Sequence, residues 1–210
     1  MQDKKTILVL APHPDDGEFG AGGSLSRWAS EGRKIHYVAF SPCIASLPEG
    51  SAPDLLHTEL MKATSRLGIE ASKVHLADFP VRMFPAMRQE ILEMMVKMNK
   101  EMKPDLVLVP NSQDIHQDHH TIFEEGLRAF KHCSIIGYEL PWNSLEFKSN
   151  FHVRLTKEQV KRKYEAISEY KSQVKRAHHD EPFLEGLARL RGTQIGTEFA
   201  EAFELIRWIS

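Results

Sequence analysis

The amino-acid sequence predicts an α/β protein, a three-layer α/β/α sandwich on a mostly parallel sheet of order 3-2-1-4-5, with C-terminal helices packed on it. Three observations predict it. Over the first two thirds of the chain, short β-rich runs alternate with longer helical patterns. The first of these runs is almost continuously apolar, as a strand covered on both faces must be. The intervening helical patterns are long enough to carry right-handed crossovers between parallel strands.

Taken in order, Thr6 to Ala11 (TILVLA) follows Lys4-Lys5 and reads as a buried parallel strand. Pro12 to Gly23, rich in Pro, Asp and Gly, reads as a turn. Ser24 to Gly32 then reads as a helix, with Leu25, Trp28 and Ala29 on one face and Gly32 as its stop. Lys34 to Phe40 is a second strand. A polar loop, Ser41 to Pro53, leads to a helix over about Asp54–Leu67 that ends at Gly68. Val74 to Ala77 is a short third strand, and Arg88 to Met102 a helix whose apolar face is Ile91, Met94, Met95 and Met98. Asp105 to Val109 is a fourth strand, closed by Pro110. The polar loop NSQDIHQDHH runs into a helix over about His119–Lys131, and Ser134 to Tyr138 is a fifth strand. From about Leu155 the chain reads as helices: Lys157–Lys171, Glu181–Arg191 and Glu198–Ile209. With no Pro- or Ser/Gly-rich linker and no internal repeat, residues 1–210 read as one Rossmann-like domain.

Composition narrows the function classes. Of 210 residues, 41% are hydrophobic and 27% charged, the mix of a globular protein large enough to fold without disulfide or metal staples. Any metal would therefore serve chemistry. No apolar run approaches the roughly 18 residues of a membrane span. Lys and Arg number 27 against 29 Asp and Glu, so there is no basic excess to bind nucleic acid. Two cysteines, Cys43 and Cys133, are too few for a disulfide framework, and the N-terminal apolar stretch is shorter than a signal peptide requires; both point to the cytoplasm.

Chemistry concentrates in two loops. Ala11-Pro12-His13-Pro14-Asp15-Asp16 directly follows the first strand; Asp114, His116, Asp118, His119 and His120 follow the fourth. In a doubly wound sheet the crevice lies between strands 1 and 4, so the two loops are expected to meet there. His13 and Asp16, three apart on a turn, can converge on one ion, and His119 can complete a His₂Asp set with an open position for water, the pattern of catalytic zinc. Asp15 is left beside the ion as a general base and His116 as a general acid, which together describe hydrolysis of an amide or ester. The plainer alternative makes the two aspartates helix caps. Two histidines and one carboxylate also describe a non-haem iron site, and a non-catalytic sugar- or nucleotide-binding module is a third reading. The presence of a base and an acid beside three ligands favours the hydrolase. The spacing of Gly17, Gly20, Gly22 and Gly23 is not that of a dinucleotide-binding loop.

APHPDDGEFGAGG followed by DIHQDHH resembles the LmbE-like (PIG-L) de-N-acetylases. The resemblance extends over essentially the whole chain, through Pro80-Val81-Arg82, Tyr170-Lys171-Ser172-Gln173 and Ala200-Glu201-Ala202-Phe203. It implies a zinc enzyme acting on a small-molecule N-acetyl amino sugar of the N-acetylglucosamine type. It also implies His13, Asp16 and His119 as zinc ligands, Asp15 as base, His116 as acid and Asp118 as the group orienting one of the histidines. It implies Arg82 as a sugar contact, and several members of the family are oligomers, so a homo-oligomer is allowed. Two departures concern the substrate. Leu56 stands where the family often carries arginine, and Asp114 and Ile115 stand where some members carry tyrosine.

Among other residues, Trp142 is a candidate to stack on a sugar ring, with core packing as the plain reading. Arg191, with Arg189 and Gln194, is a candidate to reach an anionic part of the substrate, against an ordinary surface charge. His178-His179 reads chiefly as a helix end, and Cys43 as a pocket-lining thiol.

Overall fold

The computed structural model describes residues 5–173 and 179–210. Strand β1 (Thr6–Ala11) leads to helix α1 (Asp16–Ser30), β2 (Lys34–Ala39), α2 (Leu55–Arg66), β3 (Val74–Leu76), α3 (Arg88–Met102), β4 (Leu106–Pro110), α4 (Gln117–Ala129) and β5 (Ser134–Tyr138). There follow β6 (Phe151–Leu155), α5 (Lys157–Ile167), α6 (Glu181–Thr193) and β7 (Phe199–Arg207). The strands form one sheet of order β3-β2-β1-β4-β5-β7-β6. The first five are parallel neighbours in the expected order, and β7 and β6 extend the sheet antiparallel beyond β5.

Strand alternation sorts the core into two layers. On β1, Ile7, Val9 and Ala11 pack on the side of α1, α2, α5 and α6, while Leu8 and Leu10 pack on the side of α3 and α4. All five are fully buried, each larger one contributing roughly 1.5–3 kcal/mol of apolar transfer. Among the described residues, no helix is long and apolar enough to cross a membrane.

Three expectations need correction. The segment expected to be the helix Glu198–Ile209 is strand β7. Its Ala, Glu and Leu content favours a helix, but its side chains alternate: Glu201 reaches the backbone N–H groups of Gly23 and Ser24, while Glu204 reaches Ser112 on the other side. Pairing with both β5 and β6 overrides propensity here. Second, β6 itself was not expected, and with β7 it makes the sheet seven-stranded. Third, α1 begins at Asp16, so the glycines assigned to a turn lie inside the helix. They serve close packing: a Cβ on Gly20 would stand 2.3 Å from the Tyr138 ring, and one on Gly17 2.6 Å from that of Tyr37. Only bare backbone lets α1 lie this close to the sheet.

Candidate metal centre

Both polar loops leave the C-terminal ends of neighbouring strands, β1 and β4, where the strand order reverses. The β1 loop is a tight turn into α1, and the β4 loop turns into α4, so two helix N-termini and their preceding loops share one crevice.

Three donor atoms meet there. His13 Nδ1 lies 3.3 Å from Asp16 Oδ2, His119 Nε2 lies 3.3 Å from the same oxygen, and the two ring nitrogens are 3.2 Å apart. Ligands bonded at about 2.0–2.1 Å in a tetrahedral site stand roughly 3.3 Å from one another, so this triangle fits a zinc-sized divalent ion. His116 brings a ring nitrogen within 4.8 Å of both histidines. Its Nδ1, however, accepts the Asp118 N–H at 3.1 Å as the cap of α4, and the tighter triangle is the one closed by Asp16.

Each histidine of the triangle is braced from behind. Asp118 Oδ2 accepts from His13 Nε2 at 3.0 Å, and Asp114 Oδ2 accepts from His119 Nδ1 at 2.8 Å. In the neutral rings these bonds keep the proton on the outer nitrogen, so His13 Nδ1 and His119 Nε2 are the atoms whose lone pairs an ion would take. The carboxylates are fixed in turn. Asp118 accepts the N–H groups of Arg82 (2.6 Å) and Phe84 (3.2 Å), and Asp114 Oδ1 accepts that of His116 (2.9 Å). The sequence reading placed Asp114 in this loop but gave it no role toward His119, because that tie runs through space rather than through a recognisable motif.

The electrostatics match a site built for positive charge. Burial alone would lower His119, yet the Asp16 and Asp114 carboxylates raise its pKa well above the ordinary value. Asp16 is held far below the usual carboxylate range despite burial, by His119 and His13. His116 is lowered by burial and by the neighbouring His119 and His13. Burial first, and then the surrounding aspartates, push the Cys43 thiol up to about 12, so it lines the cleft as an unreactive thiol.

Asp15 is buried at φ 91°, a conformation that costs a non-glycine residue roughly 1–3 kcal/mol. Its side chain makes no capping bond to α1, which removes the simple cap reading for this residue. The Tyr170 hydroxyl meets the Asp15 backbone and donates to Glu18 Oε1 at 2.8 Å, while Tyr37 donates to the other Glu18 oxygen. A buried Tyr-Glu-Tyr group, absent from the sequence reading, thus anchors the start of α1.

The cleft over the triangle has a volume of about 290 Å³. Asp15, Arg82, His116 and Trp142 line it, together with Asn143, which the sequence reading did not single out, and Gln173, which it quoted only as part of a resemblance motif. Arg82 sits at φ 69° with its guanidinium 3.4 Å from Ser46 Oγ. The Trp142 ring stands edge-on to Phe19 at 5.0 Å. Arg191 is not brought here. Its guanidinium pairs with Glu139 (Nε to Oε2 3.0 Å) and lies over Phe147, so the expected anionic contact gives way to a partly buried ion pair. His178 lies outside the described residues, and His179 packs edge-on against Phe19 at 4.9 Å.

Comparison with known proteins identifies the family. The family model described as "PIG-L: GlcNAc-PI de-N-acetylase" matches residues 8–130, which span both metal loops. The chain is 24% identical to the diacetylchitobiose deacetylase of Thermococcus kodakarensis, over 97% of its own length and 84% of that protein. Among solved structures it superposes on the conserved protein TT1542 of Thermus thermophilus with a TM-score of 0.80, at 22% identity, covering 97% of this chain and 95% of that one. It also superposes on the 4-carboxy-2-hydroxymuconate hydratase GalB of Pseudomonas putida with a TM-score of 0.78, at 20% identity, covering 98% of both chains, so the fold itself is shared across chemistries. The chain belongs to the PIG-L family, the GlcNAc-PI de-N-acetylases by the description of its model, and its enzymatic class is hydrolytic N-deacetylation.

Proposed function

We propose that the chain is a zinc-dependent hydrolase that removes the acetyl group from an N-acetylated amino sugar of the N-acetylglucosamine type. The observation that carries this reading is the 3.2–3.3 Å triangle of His13, Asp16 and His119, each imidazole braced by its own carboxylate, at the floor of a cleft that also holds Asp15. An ion held there supplies an acidified water and polarises the amide carbonyl. Asp15 is outside the triangle, and its carboxylate takes the proton of the attacking water. His116 returns a proton to the leaving nitrogen. Because its Nδ1 accepts the Asp118 N–H, the ring carries its exchangeable proton on Nε2. Asp118 and Asp114 keep both ligand rings in the metal-binding tautomer. Arg82 and Trp142 contact the sugar from the walls. We place the enzyme in the cytoplasm, a reading that the two free, buried thiols Cys43 and Cys133 support.

The test is metal content with acetate release from N-acetylglucosamine and its simple glycosides, before and after chelation. About one zinc per chain, and activity lost on chelation and regained with zinc, supports the reading. Stoichiometric metal without acetate from any amide would refute it and direct attention to other chemistry on this fold, hydration among it.

A further inference from the structure

Nine large hydrophobic side chains stand exposed among the described residues, and their distribution is uneven. Five of them, Ile44, Met83, Ile115, Trp142 and Leu145, belong to the loops around the mouth of the cleft. Trp142 lines the cleft itself. Ile44, Met83 and Ile115 adjoin the lining residues Cys43, Arg82 and His116, and Leu145 stands just past Asn143. Leu145 is 86% exposed and Ile115 65%; a lone exposed side chain carries no meaning, and it is the concentration of five of the nine on the loops supplying the cleft's lining that points to a ligand.

The backbone beneath them is braced. The Ile115 N–H donates to the Asn143 carbonyl at 2.9 Å, Asp114 and Ser144 form an isolated bridge, and Asn111 Nδ2 donates to Ser144 Oγ at 2.9 Å. On the opposite rim, Cys43 is locked at φ 51° with its N–H on Ser41 Oγ at 3.1 Å. The apolar character continues inward, where Leu56 and Val81 line the cleft. Arg82 is the one Lys or Arg side chain lining it among the described residues. At about 290 Å³ the cleft is at the small end of ligand sites, so any part of the substrate beyond the acetylated sugar lies across this mouth.

We infer that the substrate is an amino sugar bearing an apolar substituent, an alkyl or aryl aglycone seated against Ile44, Met83, Ile115, Trp142 and Leu145, rather than a free or nucleotide-linked sugar. The inference rests on the deacetylase reading above. A diphosphate would bring its charges to a mouth whose single lining guanidinium already leans on Ser46. An apolar aglycone would instead release water from both surfaces.

The test is kcat/KM for acetate release by the zinc-loaded enzyme along the methyl, butyl and octyl glycosides of N-acetylglucosamine, below their micelle concentrations. The expected rise from methyl to octyl is at least about tenfold, the equivalent of about 1.4 kcal/mol or roughly two buried methylenes. In Leu145→Ser and Met83→Ser the octyl-to-methyl ratio falls toward one. Trp208→Ser, equally apolar but against Lys5 at the N-terminal edge of β1, keeps the wild-type ratio. A flat series in the wild type, an unchanged ratio in both rim variants, or a nucleotide-linked N-acetylglucosamine outrunning the octyl glycoside would overturn the inference while sparing the deacetylase. No acetate from any glycoside would overturn the deacetylase reading itself.

Discussion

Replacing Asp114 with asparagine tests whether the histidine braces matter as the geometry says. The Asp114 carboxylate accepts two hydrogen bonds, one on each oxygen: His119 Nδ1–H at 2.8 Å and the His116 N–H at 2.9 Å. An asparagine has one acceptor oxygen, so one of these donors must face an NH₂ group. If the oxygen stays with His119, the His116 N–H confronts a donor in a residue that is only 4% exposed. If the oxygen turns to His116, the amide donates to His119 Nδ1 and drives the ring proton to Nε2, the atom that should hold the ion. Either route costs about 1–3 kcal/mol, the range for one buried unsatisfied group. Against 1.4 kcal/mol per decade, that is a roughly 5- to 140-fold loss of metal affinity, which brackets the roughly 10- to 100-fold range found for outer partners of metal-bound histidines. The assay is zinc competition against a chromophoric chelator, with kcat measured separately at saturating zinc. A zinc Kd unchanged in Asp114→Asn would refute the argument that this carboxylate sets the tautomer and orientation of His119.

Three further outcomes are expected. Asp15→Asn should lower kcat by about 10²–10⁴-fold while leaving zinc stoichiometry at the wild-type value, since Asp15 lies outside the donor triangle; elemental analysis beside acetate release checks both halves. Gly20→Ala should destabilise by at least about 1–3 kcal/mol in urea unfolding, because its Cβ would sit 2.3 Å from the Tyr138 ring, whereas Gly186→Ala, with open space around it on α6, should gain up to about 1 kcal/mol. His36, buried on β2 with no partner at either ring nitrogen, is lowered from 6.5 to about 4 by burial and by Lys34, Lys73 and His75, so it stays neutral when folded but takes up a proton on unfolding below about pH 6.5. Its contribution is therefore intact above pH 6.5 and fades as pH falls toward 4, by on the order of 2 kcal/mol between pH 7 and 5; His36→Leu should remove that slope, read as the wild-type minus variant difference in unfolding free energy.

The parts of the molecule that could be read from the chain are those whose physics is local. Continuous apolar strands such as Thr6–Ala11 and their crossover helices announce a parallel sheet, and its first five strands lie in the anticipated order. The last third failed for a definable reason. Phe199 to Arg207 carries both a helix-forming composition and a two-residue alternation, and pairing with β5 and β6, distant in sequence, decides between them. The glycines of α1 misled in the same way: they signal a turn to local reasoning, but the Tyr37 and Tyr138 rings that require their bare backbone come from β2 and β5. Arg191 looked like a ligand contact because its partner Glu139 lies far away along the chain.

The same division runs through the site. The convergence of His13, Asp16 and His119 was legible because each loop is a short motif at the end of a strand, and the sheet topology alone brings β1 beside β4. The cleft walls were largely illegible because they arrive on remote segments held by backbone ties. Asn143 is fixed through its carbonyl to Ile115, and the turn bearing Gln173 is fixed by Glu59, which accepts both the N–H (3.0 Å) and the hydroxyl (2.6 Å) of Ser172. On the proposed reading, chemistry is thus encoded in two contiguous stretches, while the choice of substrate is dispersed over at least four. A chain can keep the first unchanged and alter the second by single substitutions on exposed rims, where the stability cost is small. Ile44, Met83, Ile115 and Leu145 occupy such positions, and that is why the rim, rather than the two His/Asp loops, is where this enzyme's substrate preference should be sought.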